Sequence, residues 1–116
     1  ATDVSLAGTF KIEQLPVGFR LTLSDDFSHD SGPDLFITLV KADAASLGTY
    51  DYNGIADEDQ IVLGPQLNKG SGMVSAGVSR AIEMKAKELQ EYQTVMIQCI
   101  KWNHTYGIAA IDWDNE

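Results

Sequence analysis

A single cysteine, Cys99, stands five residues ahead of His104 in the stretch QCIKWNHTYG, residues 98–107. Three chemistries are open to it. A thiolate can take part in redox reactions. A thiolate can also ligate a soft metal or a haem iron. A free cysteine can equally act as a small buried hydrophobe, which is how most of them behave. An internal disulfide is excluded by the count of one. A structural zinc site needs three or four Cys or His ligands, and the chain offers only Cys99, His104 and His29. A haem asks for one or two axial ligands and an apolar slot. Cys99 meets that ligand count, and Trp102, His104 and Tyr106 could line the slot. Strand parity limits the pairing of Cys99 with His104. Along one continuous strand Cys99, Lys101 and Asn103 share a face, and Ile100, Trp102 and His104 share the other. A bulge or turn near Asn103 reverses that and brings the two residues to one side.

A second cluster lies in DDFSHDSGPD, where His29 is surrounded by Asp25, Asp26, Asp30 and Asp34. Hard carboxylate oxygens in a loop are calcium ligands by type, and Asp26, Asp30 and Asp34 are the candidates. Their spacing is not that of an EF-hand loop. The plainer reading is a polar turn with Asx caps and Gly32-Pro33 setting the backbone. Other chemistries find little support. The glycines of GSGMVSAG are followed by no Lys-Ser/Thr pair, so a phosphate loop is not expected. Neither a G-x-S-x-G elbow nor an H-E-x-x-H pair occurs.

The elements that position these residues read as short strands. FRLTL alternates Phe19, Leu21 and Leu23 against Arg20 and Thr22, the period of a half-buried strand. LFITLVKA and TVMIQCIKW are apolar and β-branched throughout, as central strands are. QIVLGPQL is a short strand stopped by Gly64-Pro65, and YGIAAIDW is another strand. WNHT can bend the chain between the last two. The block SRAIEMKAKELQEYQ, residues 79–93, fits two patterns. A full helix suits its propensities and the spacing of Ile82, Ala86 and Leu89. A strand suits the alternation of Ala81, Glu83 and Lys85 against Ile82, Met84 and Ala86. Frequent turns and many short strands predict an all-β fold. The architecture expected is an antiparallel β-sandwich of seven to eight strands over residues 1–116 as one domain.

Composition narrows the partners. The chain has 116 residues, 44% of them hydrophobic, enough for a core without disulfides. Its net charge of −9 argues against nucleic acid and anionic membranes. No run approaches the roughly 18 apolar residues of a membrane span. The first residue is Ala1, which suits a trimmed export precursor.

Three stretches taken together resemble the small electron-transfer domain found beside DOMON domains, the DM-thirteen domain. Asp26-Phe27 and Gly32-Pro33-Asp34-Leu35 match its Phe and Gly-Pro-Asp-Leu box. Leu63-Gly64 with Leu67 matches its middle. Tyr92, the strand at 95–97, Cys99, Trp102 and Tyr106-Gly107 with Ala109 match its closing pattern. The likeness spans roughly residues 6–111. It departs at the N-terminus, where only SLAG remains of an expected strand, and at His104, where the family carries an aliphatic residue. The resemblance implies an extracytoplasmic all-β domain whose cysteine acts in redox, as a bare thiol or by holding haem, with an unidentified redox partner. It also implies a strand near 80–86 and then a helical turn near 87–92, in place of the full helix at 79–93. The alternative reading is a binding or adhesion β-sandwich. In that reading Cys99 is core packing, and the acidic loop or the glycine-rich segment at 68–79 contacts a partner or calcium.

Overall fold

The computed structural model describes residues 6–29, 35–43, 55–64, 67, 79–100 and 104–113. Among the described residues nine strands and one helical turn follow in this order: β1 Leu6–Ala7, β2 Phe10–Gln14, β3 Phe19–Leu23, β4 Ser28–His29, β5 Leu35–Val40, β6 Gln60–Leu63, β7 Ser79–Ile82, α1 Ala86–Leu89, β8 Thr94–Cys99 and β9 His104–Ala110. A 3-10 turn at Asp57–Asp59 leads into β6. Seven strands form two antiparallel sheets, ordered β2-β3-β7 and β6-β5-β8-β9, and β1 pairs with β4 as a short separate ribbon. The two larger sheets make the expected all-β antiparallel sandwich.

Alternation builds the smaller sheet. Ile12 of β2, Leu21 and Leu23 of β3 and Ile82 of β7 point inward, while Lys11, Arg20 and Ala81 stay exposed. The larger sheet answers with Leu35, Ile37 and Leu39 from β5, Leu63 from β6, and Val95, Ile97 and Cys99 from β8. Directly opposite residues of an antiparallel pair share a face, so the registers Leu35↔Cys99, Ile37↔Ile97 and Leu39↔Val95 stack these side chains into the core. The reverse face of the same sheet is buried too, at Thr38, Val40, Thr94, Met96, Gln98 and Thr105. Burial on both faces is why β5 and β8 read as continuous apolar runs rather than as alternating ones.

Tight turns set the joints. The β2–β3 hairpin closes over Pro16-Val17, with Leu15 N–H donating to the Gly18 carbonyl at 3.0 Å. Gly18 has φ +76°, and a Cβ there would lie 2.5 Å from the Ile82 carbonyl oxygen. β7 stops at this joint. Its last paired residue, Ile82, faces Phe19, and beyond Phe19 the partner strand turns away. The 79–93 block is a strand and then a helical turn, in the order the resemblance implies. The strand ends at Ile82, short of 86, and the helix spans Ala86–Leu89 rather than 87–92. One turn of helix cannot sustain itself. Leu89, fully buried, pins it to the core. Below it, Trp113 Nε1 donates to the Tyr92 carbonyl at 2.8 Å.

Two elements depart from the expectation. The loop expected across 25–34 contains the two-residue strand β4. Phe10–Gln14, which none of the strand segments inferred above includes, forms β2, which pairs only with β3 among the described residues.

Candidate functional site

Cys99 is the last residue of β8 and is 1% exposed. Its side chain belongs to the central cluster, opposite the fully buried Leu35. Local sequence explains the position. TVMIQC places Val95, Ile97 and Cys99 on one side of the strand, and β5 presents leucine and isoleucine to all three. Such a site suits a small apolar group.

Asn103, near which a bulge or turn is expected, lies outside the described residues. β8 and β9 form a hairpin, and His104 is the direct register partner of Cys99. Parity counted along a single strand therefore does not apply here, because the two residues sit on different strands. An irregularity also occurs, but farther along. The register shifts between Ile97↔Gly107 and Gln98↔Thr105, leaving Tyr106 as the extra residue of a β-bulge. Tyr106 is half-buried and packs against the core cluster. Trp102 lies outside the described residues.

Three surface clefts bear on access to the sulfur. The first, about 350 Å³, is lined by Thr9, Lys11, Thr22 and Asp25 among others. The second, about 110 Å³, opens between Gly8–Phe10 and Gly107–Ala109, with Val95 and Ile97 in its wall. It ends one inward-facing residue short of Cys99. The third, also about 110 Å³, lies between Ile12, Phe19, Ala86 and Trp113. Cys99 is in the wall of none of these three. The second and third are small beside the roughly 300–1,000 Å³ of ordinary ligand pockets.

The acidic loop is described only at its start. Asp26 Oδ1 accepts a hydrogen bond from Ser24 Oγ at 2.6 Å, and Ser24 Oγ accepts from the Thr9 N–H at 2.9 Å. Asp26 thus braces the turn that leads Phe27 into the core. Asp30 and Asp34 lie outside the described residues, as does the glycine-rich segment apart from Ser79. Among the described residues no group of three or more His, Cys, Asp or Glu is placed to hold a metal ion.

A polar cluster that the sequence reading did not single out lies on the reverse face of the larger sheet. Gln98 Nε2, buried, donates to Thr38 Oγ1 at 3.0 Å and to Gln60 Oε1 at 2.7 Å. Gln60 Nε2 in turn donates to the Ile55 carbonyl at 3.3 Å. Nearby, Thr105 Oγ1 donates to Met96 Sδ at 3.8 Å. The signal in the sequence was one glutamine inside an otherwise apolar strand. Buried amides need partners, and those of Gln98 come from two strands, β5 and β6. On β7, partial burial lowers the proton affinity of the Arg80 guanidinium; the group stays charged at neutral pH.

Compared with protein-family models, curated proteins and solved structures, the chain matches none. Among the described residues no helix is long and apolar enough to cross a membrane.

Proposed function

We propose that this chain is a binding or adhesion β-sandwich without redox chemistry of its own, in which Cys99 is a packing residue. The carrying observation is the burial of Cys99 in the core cluster, opposite Leu35 and outside the walls of the three clefts. A redox thiol must meet its partner or a cofactor, and a sulfur at 1% exposure meets neither without movement of the sandwich. The net charge of −9 suits a cationic partner surface or a divalent cation. Calcium through Asp26, Asp30 and Asp34 belongs to this reading.

A second reading keeps the resemblance to the DM-thirteen domain, with its extracytoplasmic setting, its redox partner and a haem held by Cys99. One observation favours it: His104 stands directly across the hairpin from Cys99, so the sequence places a ligating residue type at the neighbouring register position. An absorption spectrum of the protein purified from its native host, with a titration of free thiol, separates the two. The binding reading expects no Soret band and a thiol that reacts only after denaturation. A Soret band that is lost in Cys99→Ala would overturn it.

A further inference from the structure

We propose that β2 is a self-association edge, through which two copies of the chain pair antiparallel with Ile12 on the twofold axis. The proposal does not depend on either reading of Cys99.

β2 has a strand neighbour on one side only among the described residues. The hydrogen bonds at the two ends of its hairpin fix which groups face outward. Leu15 N–H donates to the Gly18 carbonyl and Ser24 N–H donates to the Thr9 carbonyl. Hydrogen-bonding positions alternate along an antiparallel pair, so Thr9, Lys11, Glu13 and Leu15 direct their backbone groups to β3. Phe10, Ile12 and Gln14 then direct their N–H and C=O groups to the side of β2 that has no strand neighbour among the described residues. The registers Lys11↔Thr22, Ile12↔Leu21 and Glu13↔Arg20 agree with this assignment.

The sequence of β2, FKIEQ, is charge-complementary to itself in one register. Antiparallel pairing about Ile12 sets Phe10 opposite Gln14 of the second copy and Ile12 opposite its counterpart. About six backbone hydrogen bonds form between these outward-facing residues. Lys11 of each copy falls opposite Glu13 of the other. Those positions are the non-hydrogen-bonded pairs, whose side chains approach most closely. Both charges lie on the face away from the core, since Ile12 between them points inward. Each Glu13 would then sit between Arg20 of its own β3 and Lys11 of the second copy.

This register matters because two chains of charge −9 otherwise repel. A lone edge lysine normally guards against pairing. Here Glu13, placed symmetrically about Ile12, turns the same lysine into a register-setting contact. The other edges lack this complement. β6 and β9 carry no Lys, Arg, Asp or Glu, and Thr105 and Tyr106 of β9 and Arg80 of β7 already hold interactions. A five-residue edge buries less than the roughly 1,200–2,000 Å² of a stable interface, so the dimer is weak and concentration-dependent.

Sedimentation velocity of the full chain, with reductant, from about 10 μM to about 1 mM tests this. Reductant keeps a disulfide through Cys99 from being read as association. The wild type is expected to shift toward a dimer as concentration rises. Lys11→Glu and Glu13→Lys, each checked for folding by circular dichroism, should weaken association about tenfold by opposing like charges. The doubly swapped K11E/E13K protein should recover it. An equimolar mixture of the two single variants should associate as well, because each then offers the charge the other lacks. A wild type that stays monomeric throughout would overturn the proposal. So would single variants that dimerise as the wild type does, or a mixture that fails to associate.

Discussion

Replacing Cys99 by serine and by alanine distinguishes a packing sulfur from an available one. The site is 1% exposed and faced by Leu35, itself fully buried, so both changes act on the core. Alanine removes one heavy atom from close packing, a loss of about 1–1.5 kcal/mol in transfer and cavity terms. Serine keeps the heavy-atom count but places a smaller, polar hydroxyl among aliphatic groups, which costs about 2–3 kcal/mol when no acceptor is at hand. The expected order of stability is therefore wild type, then alanine, then serine. A chain of 116 residues has an unfolding entropy near 0.24 kcal/mol/K, so each kcal/mol moves Tm by about 4 °C. Cys99→Ala should lower Tm by about 4–6 °C and Cys99→Ser by about 8–12 °C. Urea unfolding followed by tryptophan fluorescence gives the same quantities as changes in midpoint at constant slope. Serine within about 0.5 kcal/mol of the wild type, as at an exposed position, would refute the packing argument.

Other outcomes follow from the joints and the reverse face. Gly18→Ala should lose about 2–4 kcal/mol, because alanine resists φ +76° and its Cβ would press on the Ile82 carbonyl; a thermal melt reads this, and a loss below about 0.5 kcal/mol would contradict it. Gln98→Leu should cost about 1–3 kcal/mol by stripping Thr38 and Gln60 of their donor, as measured by urea unfolding. Trp113→Phe removes the 2.8 Å bond to the Tyr92 carbonyl and should cost about 1 kcal/mol, with hydrogen exchange rising first around 89–93.

Much of the architecture was legible because burial writes period into sequence. β3 declared itself by strict alternation, and β5 and β8 by nearly continuous apolar runs of the kind that strands buried on both faces carry. β2 has the same period two, but its short span and its Lys and Glu give it a weak apolar signal. The 79–93 block was ambiguous because its residues are good helix formers. Pairing of Arg80 and Ile82 with β3 overrode propensity there, and only the turn anchored by Leu89 stayed helical. The surroundings of Cys99 were the least legible. Whether Cys99 and His104 share a side depended on where the chain reversed, and a count along the sequence does not reveal a hairpin joining two separate strands. The partners of Gln98 come from β5 and β6, far away in sequence, and only the fold brings them together.

The account turns on whether the Cys99 sulfur is sealed in the native sandwich. The most direct measurement is the rate of thiol labelling by a small disulfide reagent across a urea series, beside the global unfolding curve. A packing sulfur reacts only through opening of the core. Labelling in the absence of urea should then be slower than in the unfolded chain by about a thousandfold or more, with a urea dependence parallel to global unfolding. Complete labelling within minutes at zero urea, on a chain still folded by circular dichroism, would contradict it.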